Sequence, residues 1–340
     1  MITASSPLAQ QSHASPDWRR LWREAITDAH ELLAVLGLEP LADHLAPQDA
    51  GFSLRVPRGF VARMRPGDPG DPLLLQVLPQ LAELDAVPGF TKDAVGDLAS
   101  RAAHGVLHKY HGRALLIASG TCAINCRYCF RRHFPYGEDI AAASGWREAI
   151  EYVRGQEDVE ELILSGGDPL ALSTPKLQQL TDQLHALPHV RTLRLHTRLP
   201  VVLPERIDDE FMQWFAPLAL HKVVVLHANH ERELNASVAR ACARLRDCGA
   251  TLLNQSVLLR GINDDARTLV ALSRRLFACG VLPYYVHQLD RVQGAAHFEV
   301  SDANATGIIE DMRAHLPGYL LPRLVREVAG DAAKRPIRTL

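Results

Sequence analysis

Apolar and polar positions fall into two regimes along the chain. Between residues 18 and 36, Trp18, Leu21, Trp22, Ala25, Ile26, Ala29, Leu32, Leu33 and Leu36 recur at helical spacing and predict a helical lead-in. Ser15 stands where an N-cap would, and Pro16 suits a first helical turn. Residues 57–64 predict a short second helix, whereas Arg65-Pro-Gly-Asp-Pro-Gly-Asp-Pro72 must be loop. From Arg113 onward, short apolar runs alternate with helical stretches. Runs at 114–118, 161–165, 192–197, 222–227, 251–257 and 283–289 predict strands; segments at 146–154, 174–187, 206–215, 231–248 and 264–279 predict helices. This alternation implies a parallel sheet with right-handed crossovers. Six units are too few to close an eight-stranded barrel, so the α/β core is either a partial barrel or an open doubly wound sheet. No internal repeat interrupts the pattern.

Polar residues gather at the carboxyl ends of the predicted strands. Ser165-Gly-Gly-Asp168 follows the second, His196-Thr-Arg198 ends the third and His227-Ala-Asn-His230 the fourth. Asn254-Gln-Ser256 lies late in the fifth, and Gln288-Leu-Asp290 ends the sixth. Ligands of parallel α/β folds collect at that end, which predicts one shared site.

The first strand runs into Gly120-Thr-Cys-Ala-Ile-Asn-Cys-Arg-Tyr-Cys, placing Cys122, Cys126 and Cys129 at C-x3-C-x2-C spacing. Three thiolates on one loop suit a [4Fe–4S] cluster with one iron left open for a substrate or cofactor. The competing reading is a zinc site, with His133 as fourth ligand or Cys242, Cys248 or Cys279 recruited from afar. Those three distant cysteines lie in helical segments and read as small buried hydrophobes.

A formal net charge of −2 gives no electrostatic reason to expect nucleic acid or anionic membrane as a partner. The N-terminal residues lack the basic start and apolar run of a signal peptide, and no stretch approaches the length of a membrane span. The cysteine usage fits a reducing compartment, so a cytoplasmic location is expected.

The cysteine loop, with an aromatic residue just before its last cysteine, resembles that of the radical S-adenosylmethionine (SAM) enzymes. Ser165-Gly-Gly-Asp168 is similar to their glycine-rich SAM-binding turn. The resemblance narrows to the lysine 2,3-aminomutases on His108-Lys-Tyr-His-Gly-Arg113, Leu253-Asn-Gln-Ser-Val-Leu-Leu-Arg-Gly-Ile-Asn-Asp264, Gly294-Ala-Ala-His-Phe298 and the C-terminal run through Lys334-Arg-Pro336. It extends from about residue 54 to 336. The Cys-Arg-Tyr-Cys-Phe-Arg-Arg-His-Phe-Pro-Tyr run, Leu-His-Lys-Tyr-His and the early C-terminal stop look most like the type that makes (R)-β-lysine for elongation factor P.

The resemblance implies a partial (β/α)6 TIM-like barrel at 106–300, an N-terminal mainly helical region at 1–105 and a C-terminal segment at 301–340. It implies a [4Fe–4S] cluster on Cys122, Cys126 and Cys129, SAM, and pyridoxal 5′-phosphate (PLP) on Lys334. SAM contacts fall on Gly166, Gly167, Asp168, His227 and Gln255, and PLP contacts on Tyr110 and Arg113, with His108 and Lys109 nearby. Arg131 matches the arginine that grips the substrate carboxylate, and Asp290 the aspartate that binds its ε-ammonium. Glu327 stands where the aminomutases proper have a second aspartate, moving that carboxylate one methylene outward. The implied reaction is a radical 1,2-amino shift on free L-lysine, with flavodoxin or ferredoxin as reductant and a functional link to an elongation factor P ligase; an oligomer is compatible with the pattern. Two alternatives stay open. The same chemistry could serve lysine catabolism, osmolyte synthesis or another amino acid, although the acidic pair favours a basic side chain. The chain could instead be a non-catalytic iron–sulfur or zinc-binding protein.

Overall fold

The computed structural model describes residues 17–47 and 51–337, so Ser15 and Pro16 lie outside the described residues. In place of one lead-in helix there are two, α1 (Trp18–Arg23) and α2 (Ala29–Leu36). Each begins at an aspartate: Asp17 accepts from the Arg19 N–H at 2.9 Å, and Asp28 from the Glu31 N–H at 3.0 Å. The apolar stripe runs through the break, but a capping side chain at 28 competes for the backbone donors and starts a new helix. Ile26, between them, makes an isolated antiparallel bridge to Val56. A third short helix, α3 (Arg58–Val61), follows Pro57 within the segment expected to be helical.

Among the described residues a ten-stranded sheet follows, its strands ordered as they occur in the chain. They are β1 (Arg101–Ala103), β2 (Val106–Tyr110), β3 (Arg113–Ser119), β4 (Glu161–Gly166), β5 (Thr192–Thr197), β6 (His221–Leu226), β7 (Thr251–Val257), β8 (Leu282–His287), β9 (Arg323–Arg326) and β10 (Arg335–Pro336). Strands β3 to β9 are parallel, and antiparallel ribbons flank them, β1 and β2 on one edge and β10 on the other. The crossovers contain α4 (Arg147–Arg154), α5 (Thr174–Leu184), α6 (Leu199–Val202), α7 (Asp209–Phe215), α8 (Ala236–Asp247), α9 (Ala266–Ala278) and α10 (Asp302–His315).

The six expected strands are β3 to β8. The seventh parallel strand, β9, has only four residues, two of them arginine, and shows no apolar run by which to find it. A doubly wound sheet reverses its strand order at a switch point. No reversal occurs here, and the architecture is a partial TIM-like barrel whose edge strands do not pair with each other.

Alternation along the strands builds two different faces. Leu162, Leu164, Leu193, Leu195, Val224, Leu226 and Leu252 belong to the main apolar core. Their neighbours Ile163, Arg194, His196 and Gln255 face a cavity instead. Among the described residues no helix is long and apolar enough to cross a membrane.

Candidate active site

The cavity holds about 310 Å³, within the range of small-molecule sites, and lies at the carboxyl ends of the parallel strands. Its wall brings together Cys122, Cys126, Cys129, Gly166, Gly167, Asp168, Tyr110, Arg113, His227, Gln255, Arg131, Asp290, Glu327 and Lys334, with Lys109; His108 is not part of it, its Nδ1 meeting the Tyr152 hydroxyl at 2.7 Å.

On one side, the cysteine loop after β3 is stitched to the turn after β4. The Gly167 N–H donates to the Ser119 carbonyl at 2.6 Å and the Asp168 N–H to the Thr121 carbonyl at 2.9 Å. This packing explains the glycines. A Cβ on Gly167 would stand 2.5 Å from the Thr121 carbonyl oxygen, and Gly166 has φ +108° with the Ser119 carbonyl 2.7 Å from where its Cβ would be. The two glycines therefore permit a close approach to the cysteine loop itself.

The Asp168 carboxylate accepts from the Thr197 hydroxyl at 2.7 Å and from the N–H groups of Leu170, Arg198 and Leu199 at 3.0, 2.7 and 3.0 Å. It ties the end of β4 to the end of β5. Burial raises its pKa against the pull of these donors.

Burial, then the charge of Asp168, pushes the Cys122 thiol well up; burial and Cys126 push Cys129 up to about 11. Soft metal would therefore displace protons on binding these sulfurs. Among the described residues no three His, Cys, Asp or Glu side chains converge tightly enough for a single metal ion. Cluster thiolates each take a different iron and stand further apart than the ligands of one zinc ion. The zinc alternative also lacks its fourth donor: His133 Nε2 is engaged with the Gln293 carbonyl at 3.1 Å, and Cys242, Cys248 and Cys279 are buried away from the cavity.

The opposite side, from β2, β8, β9 and the C-terminal segment, is a chain of charges. Lys334 Nζ donates to Glu327 Oε2 at 2.5 Å, and Lys109 Nζ to Glu327 Oε1 at 3.1 Å. Lys109 also pairs with Asp97 at 2.6 Å, and Asp97 takes Arg131 Nε at 2.6 Å. Burial alone would raise the Glu327 carboxyl, but Lys334 and Lys109 outweigh it and hold it down at about 2. Glu327 is thus paired within the protein and is not open to a ligand's ammonium as it stands.

Asp290 differs. Its Oδ1 is shielded from solvent without a hydrogen-bond partner, and burial, with the like charge of Glu327, pushes the carboxyl up to about 7. Arg131 spans both sides, its other arm donating to Ser165 Oγ at 2.9 Å. The Arg113 guanidinium lies 4.7 Å from the centre of the Tyr110 ring.

Three imidazoles line the space between. Gln255 donates to His227 Nε2 at 2.8 Å, and burial with the nearby cations lowers His227 to about 3. Burial also drives His196 and His287 well below the usual range, and neither Nε2 has a partner. All three are neutral and add polarity without charge. Sequence reasoning gave no role to Arg198, Asp97 or His287. Asp97 lies in an irregular segment with no motif around it, and His287 reads as part of an apolar strand.

Residues 111–195 match a family model described as a 4Fe-4S single cluster domain. The L-lysine 2,3-aminomutase of Escherichia coli (strain K12) is 47% identical over 323 residues, covering 94% of each chain. That of Haemophilus influenzae is 44% identical over 320 residues, again covering 94% of each. Among solved structures, a radical SAM methyltransferase from Sphaerobacter thermophilus aligns with a TM-score of 0.47 and 18% identity, over 65% of this chain and 68% of that one.

Proposed function

The chain belongs to the radical SAM L-lysine 2,3-aminomutase family, and from that premise we propose that it converts L-lysine to (R)-β-lysine with a [4Fe–4S] cluster, SAM and PLP. The observation that carries this reading is one cavity lined by three cysteines, a lysine amine and a buried carboxylate with one unpartnered oxygen. Cys122, Cys126 and Cys129 would hold the cluster, leaving one iron without a protein thiolate. The backbone at Gly166 and Gly167, with His227 and Gln255, would hold SAM. Lys334 would carry PLP, with Tyr110 and Arg113 as contacts to its ring or phosphate. The residues fit these groups: soft donors on one wall, and cations beside an aromatic face on the other.

When bound, the reduced cluster and SAM supply a radical able to take hydrogen from an unactivated carbon, while PLP supplies the nitrogen double bond across which an amine can migrate. The protein's own groups bind and orient. Asp290, whose Oδ1 has no hydrogen-bond partner, offers its charge to the ε-ammonium of lysine, and Arg131 offers a guanidinium to the carboxylate. Together they fix the two ends of the substrate and so hold its β-carbon in one place. Glu327 bonds the amines of both Lys334 and Lys109 and so fixes where Lys334 stands on the cavity wall. The neutral His227 accepts from Gln255, while His196 and His287 present unpartnered ring nitrogens without adding charge. The net change exchanges an amino group on Cα for a hydrogen on Cβ, so no atom is gained or lost.

The product's destination is a finer proposal. The run Cys126-Arg-Tyr-Cys-Phe-Arg-Arg-His133 supports the elongation factor P type, in which a ligase attaches β-lysine to that factor. Anaerobic incubation of cluster- and PLP-loaded protein with lysine, SAM and reductant should give β-lysine by chromatography. Its absence, with both cofactors intact, rejects the activity. Deleting the gene should leave elongation factor P at its unmodified mass; an unchanged modified mass rejects the destination alone.

A further inference from the structure

Beneath the cysteine loop lies a buried polar network that the mechanism does not use. Its centre is Arg198 at the end of β5, only 6% exposed. One terminal nitrogen of its guanidinium, Nη1, donates to the sulfur of Cys126. The other, Nη2, donates to Glu233 Oε2 at 2.9 Å and to Gln76 Oε1 at 2.6 Å. Glu233 is wholly buried and also accepts from the Asn229 and His230 N–H groups at 2.8 and 3.0 Å. The rings of Phe60 and Tyr128 flank the guanidinium at 5.6 and 5.8 Å. Asp168 grips the backbone N–H of Arg198, so the turn after β4 fixes where this cation stands.

Placing a buried cation here is costly in the absence of a task. Burying an ion pair rarely stabilises a fold more than packed apolar side chains would. This pair is aimed so that its positive end meets one of three sulfurs on a single loop, while its negative end points away. Hydrogen bonds to cluster sulfurs and local net charge are the levers by which a protein sets a cluster's reduction potential. Gaining an electron makes the cluster more negative, and the nearer of two opposite charges dominates the field it feels.

We propose that Arg198 is a positioning residue that raises the reduction potential of the cluster, through its hydrogen bond to Cys126 and its fixed charge beside that sulfur. Glu233 moderates the effect from the far side of the guanidinium. The inference rests on the reading that Cys122, Cys126 and Cys129 hold a [4Fe–4S] cluster.

The test is a potentiometric titration of the full chain, loaded with cluster under anaerobic conditions and without SAM, followed by the electron paramagnetic resonance signal of the reduced cluster. Arg198→Gln should lower the ratio of reduced to oxidised cluster about tenfold at a fixed potential, equivalent to about 59 mV for a one-electron couple. Arg198→Lys, which keeps the charge and loses the fork, should recover part of that shift. Glu233→Gln should move the potential the opposite way, which a purely structural disturbance would not do. Should Arg198→Gln fail to load because Glu233 is left unpaired, the double variant Arg198→Gln/Glu233→Gln removes both charges and should still titrate lower than wild type. Equal potentials in wild type and cluster-replete Arg198 variants overturn the proposal. Loss of native circular dichroism and iron from both the single and the double variant also overturns it, making Arg198 a scaffold residue. Wild-type protein without iron and sulfide would instead overturn the cluster reading, and this inference with it.

Discussion

The two walls of the cavity satisfy their polar groups in opposite ways. Around the cysteine loop, the backbone of the Gly166–Gly167 turn is bonded to Ser119 and Thr121, and the Asp168 carboxylate meets four donors. Across the cavity, Asp290 Oδ1 and His287 Nε2 are shielded and unpartnered, and Lys334 is held by a single carboxylate. A wall whose turn backbone and central carboxylate are bonded to the cysteine loop and the end of β5 is rigid and positions something that must not move. A wall with orphaned groups is incomplete without a ligand, because an unsatisfied buried acceptor costs roughly 1–3 kcal/mol. Changes on the first wall should therefore disturb the fold and the cluster, while changes on the second should disturb ligand binding and leave the fold intact.

Two substitutions should have the largest effects. Cys126→Ala should abolish both turnover and iron content on anaerobic purification; a cluster retained in full would break the assignment of the wall. Lys334→Ala should keep iron and sulfide yet lose PLP absorbance and all β-lysine formation. Unchanged PLP binding would move the cofactor lysine elsewhere.

Next in size is Asp168→Ala, which strands the Thr197 hydroxyl and the N–H groups of Leu170 and Arg198, while the Leu199 N–H keeps Thr197 Oγ1 at 3.1 Å; the cost should be about 3 kcal/mol in denaturant unfolding. Gly167→Ala drives a Cβ into the Thr121 backbone and should cost about 2 kcal/mol. If either variant were as stable as wild type, the first wall would not be the rigid one.

The smallest effect is a pH dependence on the second wall. The Asp290 carboxyl titrates at about 7 in the folded, ligand-free chain and at about 4 unfolded. The folded state thus holds more protons across that window, and the free energy of unfolding should fall as pH rises from about 4 to 7. Asp290→Asn should lose that slope while also losing lysine affinity. In wild type, affinity for lysine should climb toward pH 7 as the carboxylate ionises. Glu327 has the opposite sign: held at about 2, it stabilises the fold above about 4, and that contribution is lost only as pH falls through about 2.

Much of this was legible in the chain. The strands at β5 and β7 match the expected spans because their apolar runs are bounded by turn residues on both sides. The three cysteines were legible because cluster ligation depends on spacing within one loop. Other features left no local mark. The break between α1 and α2 comes from Asp28 capturing the Glu31 N–H, against an apolar period that runs straight through. Glu327 read as a substrate carboxylate, yet its closest partners are Lys109, 218 residues earlier, and Lys334. Arg198 read as having no role, since nothing near it in sequence says that Cys126 lies against it.

The amino-acid sequence by itself determined the order of strands and helices, the three-sulfur loop and the gathering of polar residues at one end of the sheet, because hydrophobic period and ligand spacing are local properties. Only the tertiary structure decided which of those polar groups are already paired and which remain open. That distinction depends on contacts between strand ends far apart in the chain, made when the sheet curves and brings β2 within reach of β9.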